Sequence, residues 1–116
     1  MGVPPGGHDR SGMKPMHALT GYLDFRLEER DETVAALEAV TVRSRGDAGC
    51  VEYWWSEDLE RPCRFRFFEC WESEEAFDAH QAQPYERQFM AEHVSRIVGA
   101  DAHAFAVADR RSVLGG

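Results

Sequence analysis

Residues 50–80 read CVEYWWSEDLERPCRFRFFECWESEEAFDAH, and this stretch decides the fold. Aromatic and β-branched residues favour strands, so residues 50–55 and 64–71 are predicted to pair as a hairpin across the polar segment SEDLERP. Ser73, followed by two glutamates, is typical of a helix start. The second strand ends on Trp71 and the short helix ends on His80. We therefore expect these two side chains to meet at one cavity.

The segment before the hairpin predicts a strand and then a helix. Residues 18–28 alternate between apolar and polar side chains, which is typical of a half-buried strand. Asp31 is suited to cap a helix that closes at Gly46 and Gly49. The inner face of that helix should carry Val34, Leu37, Val40 and Thr41.

The segment after the hairpin predicts a second helical region and a last strand. Pro84 is tolerated in a first helical turn and should open a helix. An apolar stripe predicts that this helix faces the core and runs on to Gly99. The members of the stripe are Phe89, Met90, His93, Val94, Ile97 and Val98. Residues 102–108 then predict a strand with His103, Phe105 and Val107 on one face and only alanines on the other.

The order strand, helix, strand, strand, helix in two pieces, strand predicts an α+β domain. It is the split βαβ arrangement of ferredoxin-like folds, in which helices cover one face of a four-stranded antiparallel sheet. An open apolar second face is a liability in water for so small a domain. We therefore predict a homodimer in which two chains pack sheet to sheet.

Length, charge and cysteine content limit the classes of protein to which this chain can belong. A chain of 116 residues forms one domain, here predicted over residues 18–108 between a disordered leader (1–17) and a flexible tail (109–116). A net charge of −8 with dispersed basic residues disfavours nucleic-acid binding. No stretch approaches the ~20 apolar residues of a membrane helix. The three cysteines lack metal-ligand spacing and an even count, which favours free thiols in the cytoplasm.

Several elements in order resemble the antibiotic biosynthesis monooxygenase family of dimeric α/β barrels. They are Gly49-Cys50, Tyr53, Glu69-x-Trp71-x-Ser73, Glu75-Ala76 and Ala79-His80-x-x-x-Pro84. Each element is weak alone, but the ordered set is fairly specific for the superfamily, and the match runs over roughly residues 18–108. The resemblance implies the dimeric α/β barrel fold and a small aromatic substrate.

The implied activity is oxygenation of a quinol or of a polycyclic phenolic compound, such as a polyketide anthrone, by dioxygen without flavin, haem or metal. A deprotonated phenol or anthrone can pass an electron to dioxygen, so the protein need only hold it, deprotonate it and stabilise its anion. A haem-degrading branch of the family uses an asparagine on the first strand, and this chain contains no asparagine. Two alternatives stay open: a non-catalytic binding or accessory protein, and a polyketide cyclase or isomerase using the same pocket.

His80 is the predicted general base, because imidazole titrates near neutral pH and Phe77 lies three residues earlier on the same helix face. Trp71 is a candidate to stack on a flat substrate. Arg66 could stabilise an enolate or phenolate if its face of the strand lines the cavity. The alternatives are a structural histidine, a core tryptophan and a salt-bridged arginine. Further candidates to line the pocket are Tyr22, Tyr53, Trp55, Phe77, Tyr85, Phe89 and His93.

Overall fold

A computed structural model describes residues 14–115 of the chain. Four strands form one antiparallel sheet in the order β2-β3-β1-β4, and three helices pack on one of its faces. The strands are β1 (Met16–Phe25), β2 (Cys50–Glu57), β3 (Arg64–Trp71) and β4 (Ile97–Val107). The helices are α1 (Arg30–Arg45), α2 (Glu74–Gln81) and α3 (Pro84–His93). The predicted ferredoxin-like α+β fold is confirmed.

The hairpin of β2 and β3 forms as predicted. Tyr53 pairs with Glu69 and Trp54 with Phe68, so the turn is centred on Arg61. The register shifts between Cys50 and Glu52, where one extra residue is accommodated in β2, and Cys50 therefore lies opposite Trp71. All three cysteines are free thiols, and burial raises the pKa of Cys50 to about 11.

The first strand and helix begin elsewhere than predicted. β1 begins at Met16 rather than Ala18, because Met16 and His17 pair with β4 and His17 also pairs with β3. Residues 1–13 of the predicted leader lie outside the described residues. β1 ends at Phe25, a short 3-10 turn (Leu27–Glu29) follows, and Glu29 takes the N-cap position of α1 in place of Asp31. Residues 108–115, nearly the whole predicted tail, contain no helix or strand.

The predicted starts of α2 and α3 are confirmed, whereas the predicted end of α3 is wrong. The Ser73 hydroxyl accepts a hydrogen bond from the Ala76 N–H at 3.1 Å, and Pro84 begins α3, both as predicted. The helix does not run to Gly99: it ends at His93, and after the 3-10 turn Val94–Arg96 the chain enters β4. Ile97 and Val98 therefore belong to the sheet, where Ile97 pairs with Phe25. Pairing with β1, which is remote in sequence, overrides the helical periodicity.

The core lies between the helices and one face of the sheet. Leu37 and Val40 of α1 pack with Phe25 and Phe65, so the predicted inner face of α1 is confirmed at both positions. The other side of the sheet, the open face, carries ion pairs, among them Arg64 with the buried Asp24 at 2.8 and 2.9 Å. That bond lowers the pKa of Asp24. Within residues 14–115, no helix is long and apolar enough to cross a membrane.

Candidate functional site

His80 occupies the last turn of α2 and is 1% exposed. Its ring stacks on the fully buried Trp71, with centroids 4.5 Å apart and an interplanar angle of 28°. The rings of Tyr53 and Phe77 lie with their centroids 6.0 and 6.4 Å from that of His80. The predicted contact of Trp71 with His80 is confirmed, but it lies in the packed interior and not at a cavity, since neither residue lines the two cavities described below.

Asp47 holds one side of the His80 ring. It lies in the loop after α1, where its N–H donates to the Ser44 carbonyl and its own carbonyl accepts from the Cys50 N–H. Its Oδ2 lies 2.8 Å from His80 Nδ1 and accepts a hydrogen bond from the Tyr85 hydroxyl at 2.5 Å. Because an ionised carboxylate only accepts hydrogen bonds, His80 Nδ1 carries a hydrogen when Asp47 is ionised. The lone pair of neutral His80 is then on Nε2.

Glu86 faces that second nitrogen. Its Oε1 lies 3.7 Å from His80 Nε2, too far for a hydrogen bond, and both atoms are buried without a hydrogen-bond partner in the described part of the chain. Burial raises the pKa of Glu86, and the nearby His80 opposes that shift. His80, Asp47, Tyr85, Glu86 and Trp71 are called the buried cluster below. His80, Trp71 and Glu86 of this acid–base group are buried, whereas Asp47 and Tyr85 are partly exposed.

The raised pKa of Glu86 predicts how stability depends on pH. A carboxyl whose pKa is higher in the folded than in the unfolded protein destabilises the folded state when it is ionised. The Glu86→Gln variant should therefore gain stability relative to the wild type as pH rises from about 4 towards 7. Urea denaturation at several pH values measures this. Glu60→Gln, in the exposed β2–β3 turn, is the control, and parallel curves for both variants would contradict the prediction.

Two cavities flank α1. The α1–α3 cavity has a volume of about 200 Å³, and its wall includes Arg43, Tyr85, Phe89 and His93. The α1–β2 cavity has a volume of about 500 Å³, and Trp55 forms part of its wall. Tyr85 is the side chain that the α1–α3 cavity shares with the buried cluster. A ligand in that cavity would contact the acid–base group through the Tyr85 side chain.

The α1–α3 cavity combines apolar and polar walls. The guanidinium of Arg43 lies 4.6 Å from the centroid of the Tyr85 ring, and it forms no ion pair within residues 14–115. Burial raises the pKa of the Tyr85 hydroxyl, so Tyr85 stays protonated at neutral pH. Burial, with Arg96 nearby, lowers the pKa of His93, so its imidazole is neutral. Arg43 is therefore available to attract an anionic oxygen.

The structure brings most, not all, of the predicted site residues together. Tyr53, Phe77 and Tyr85 surround His80, and Phe89 and His93 line the α1–α3 cavity beside Tyr85. Trp55 lies on the far side of α1, where its Nε1 donates to the Tyr53 hydroxyl at 3.0 Å.

Arg66 and Tyr22 lie on the open face, away from the buried cluster. Side chains alternate along β3, and Phe65 of that strand is in the core, so Arg66 points to the other side. Arg66 pairs with Asp58 at 2.6 Å, and its guanidinium lies 5.6 Å from the Tyr22 ring centroid. The expectation that these two residues share the pocket of His80 is wrong.

Three residues at the site were not found from the sequence. Asp47 bonds to His80, Glu86 faces it, and Arg43, not Arg66, is the arginine that lies beside Tyr85. The one local signal for Asp47 is that it is the acidic residue between Gly46 and Gly49, directly after α1. Nothing local distinguishes Glu86 or Arg43 from the other charged residues of their helices. Within residues 14–115, no three His, Cys, Asp or Glu side chains converge to hold a metal ion.

The family profile of antibiotic biosynthesis monooxygenases matches residues 16–92, most of the chain, including β1 and the segment that carries the buried cluster. The chain belongs to the antibiotic biosynthesis monooxygenase family. The resemblance seen in the sequence is thereby confirmed, and the family is a monooxygenase family.

Comparison with individual proteins agrees on the fold. The uncharacterized protein sll1783 of Synechocystis sp. is 28% identical over 82 residues, covering 71% of this chain and 56% of that protein, so the chain spans about half its length. FN1347 of Fusobacterium nucleatum has a TM-score of 0.78 at 14% identity, covering 83% of this chain and 44% of that one. Rv0793 of Mycobacterium tuberculosis has a TM-score of 0.75 at 22% identity, covering 84% and 99%. At these identities the solved structures show a shared fold.

Proposed function

We propose that the chain is a cofactor-independent monooxygenase that oxidises a quinol with dioxygen. The observation that supports this most is the pair of Asp47 with the buried His80, which Tyr85 joins to the α1–α3 cavity. Deprotonation of a quinol makes it a strong electron donor, so the protein's task is to accept a proton and stabilise an oxyanion. Hydroquinone and dioxygen would then give a hydroxyquinone and water, with one oxygen atom entering the ring.

The size of the cavity favours the quinol over the polycyclic alternative. Sites for drug-sized ligands have volumes of about 300–1,000 Å³, and the α1–α3 cavity is smaller, at about 200 Å³. A single ring fits this space better than the fused rings of an anthrone. Phe89 and the neutral His93 would pack on the ring, and Arg43 would attract the phenolate oxygen.

Tyr85 would pass the proton from substrate to the buried pair. Its hydroxyl already donates to Asp47 Oδ2 and lies 3.2 Å from His80 Nδ1, while its oxygen remains able to accept from a substrate hydroxyl. Because its pKa is raised, Tyr85 is protonated at neutral pH, and it would give this proton to Asp47 Oδ2 as it accepts one from the substrate. Asp47 would then hold the proton, and His80, bonded to the same oxygen through Nδ1, would stabilise that arrangement.

Dioxygen uptake by metal-free protein tests this proposal. With hydroquinones, uptake should exceed the rate without enzyme, and Tyr85→Phe should lower it by about tenfold or more because the relay is broken. Tyr22→Phe is the matched control, since Tyr22 lies on the open face. Equal rates for the two variants would refute the relay. Quinol binding without uptake would instead favour the accessory protein, and anthrone turnover without uptake the cyclase or isomerase.

We further propose that the open face packs against a second copy of the chain. Phe105 is 47% exposed there, and Trp54 and Phe68 of the same face stack with ring centroids 6.1 Å apart. These aromatic groups lie towards one end of the open face and the ion pairs of β1 and β3 towards the other, a mixture of apolar and charged groups found in many subunit interfaces. Light scattering at micromolar concentration should report a dimer, and Phe105→Glu should shift it to monomer. A monomeric wild type would refute this packing.

A further inference from the structure

We propose that the α1–β2 cavity is a second small-molecule site, separate from the α1–α3 cavity, for a flat apolar ligand that carries one anionic group. Its volume of about 500 Å³ lies within the range of known ligand sites. It lies on the opposite side of α1 from Tyr85 and Arg43, which line the smaller cavity. The two sites can therefore be occupied and mutated independently.

The floor of the α1–β2 cavity is apolar and rigid. Leu37 and Phe65 line it and also belong to the hydrophobic core, where each is almost fully buried. The indole of Trp55 adds a flat aromatic surface, fixed by its hydrogen bond to the Tyr53 hydroxyl and by contact with Phe67 at 4.9 Å between ring centroids. A planar apolar ligand gains most from such a surface, because it can stack without ordering flexible side chains.

The charges around the cavity select the polar group of the ligand. Arg30 is occupied, since it makes hydrogen bonds of 2.6 to 3.2 Å with Glu57. Arg45 is different: its Nε donates to the Tyr53 carbonyl at 2.9 Å, while its two terminal nitrogens bond no other group of residues 14–115. A carboxylate or sulfonate can accept both terminal N–H groups.

Two acidic side chains line the cavity, and one of them, Glu57, is paired with Arg30. The other, Glu38, restricts the ligand to a single anionic group at the Arg45 end. Glu38 also lines the cavity, two helical turns before Arg45 and so about 10 Å from it along the helix. An anion at Arg45 is beyond close repulsion by Glu38, whereas a ligand with anions at both ends would meet that carboxylate. The preferred ligand is therefore a monoanion with its apolar body over Trp55.

Calorimetric titration with 2-naphthoate tests this site. Its two fused rings and single carboxylate match the α1–β2 cavity. Arg45→Gln should weaken binding by about tenfold or more, since it removes a charge-assisted bidentate contact. The neutral naphthalene-2-carboxamide should bind the wild type correspondingly more weakly. Val34→Trp, which fills the cavity, should abolish binding.

The control variant is Arg43→Gln on the same helix, which should leave naphthoate affinity unchanged. Arg45→Gln should conversely leave quinol-dependent dioxygen uptake within about twofold, so failure of the catalytic proposal and failure of this one are separable. No binding at up to about 1 mM would overturn the second site. So would loss of binding in Arg43→Gln with retention in Arg45→Gln, because the ligand would then occupy the α1–α3 cavity.

Discussion

His80→Gln should lower quinol-dependent dioxygen uptake by about a hundredfold or more, the effect typical of losing a general base. Glutamine can keep a hydrogen bond to Asp47 through its side-chain amide, so the loop after α1 should stay in place. It has no basic nitrogen, however, so the contribution of the imidazole to the proton-accepting group beside Asp47 is lost. The measurement is the initial rate with an oxygen electrode at saturating hydroquinone.

His103→Gln is the matched control for this substitution. His103 lies on β4, its imidazole is mainly solvent-exposed, and it pairs with Asp101 at 3.2 Å, so it reproduces an Asp–His contact outside the site. Its replacement should leave the rate unchanged. A folded His80→Gln variant that oxidises quinol at the wild-type rate would remove His80 from the mechanism and leave it as a structural histidine.

Trp71→Ala should destabilise the fold by about 3–5 kcal/mol, the largest effect that we expect of any single substitution on stability. Trp71 is fully buried, stacks on His80 and donates through Nε1 to Glu69 Oε1 at 2.9 Å. Alanine would leave a cavity, and it would also leave the Glu69 carboxyl without its donor where burial already raises the pKa of that group. Chemical denaturation at neutral pH measures the loss.

Two further substitutions make this result interpretable. Trp71→Phe keeps an aromatic ring against His80 and loses the Nε1 donor, so it should cost clearly less than alanine. Leu59→Ala, at a fully exposed position, should change stability by no more than about 0.5 kcal/mol. If Trp71→Ala cost as little as Leu59→Ala, the tight packing described around His80 would not exist in solution.

His80→Gln and Trp71→Ala separate the chemical role of His80 from the structural role of Trp71 in the same ring stack. Trp71 was expected either to bind a flat substrate or to belong to the core, and its complete burial beneath His80 supports the core role. It then acts on chemistry only by holding the imidazole ring in place. Trp71→Phe should accordingly retain most of the turnover that His80→Gln loses.

Much of the fold follows from local sequence signals. The aromatic run of β3, the Ser73 cap and Pro84 at the start of α3 all act within a few residues, through strand propensity, a side-chain hydrogen bond and a fixed backbone angle. Their positions are the same in the structure. Where the prediction failed, at Ile97 and Val98, the residues are β-branched and suit either state. The pairing of β4 with β1 then places Ile97 and Val98 in a strand rather than in a helix.

The sequence by itself determined the family, the order of the elements and the contact of His80 with Trp71, because local propensity and short spacings carry that information. Only the tertiary structure decided which face of β3 looks inward, and so removed Arg66 from the site and placed Arg43 near it. It also brought Asp47 within 2.8 Å of His80, 33 residues later in the chain. Contacts of that range depend on how α1 and α2 pack on one sheet, and no local pattern encodes the geometry of that packing.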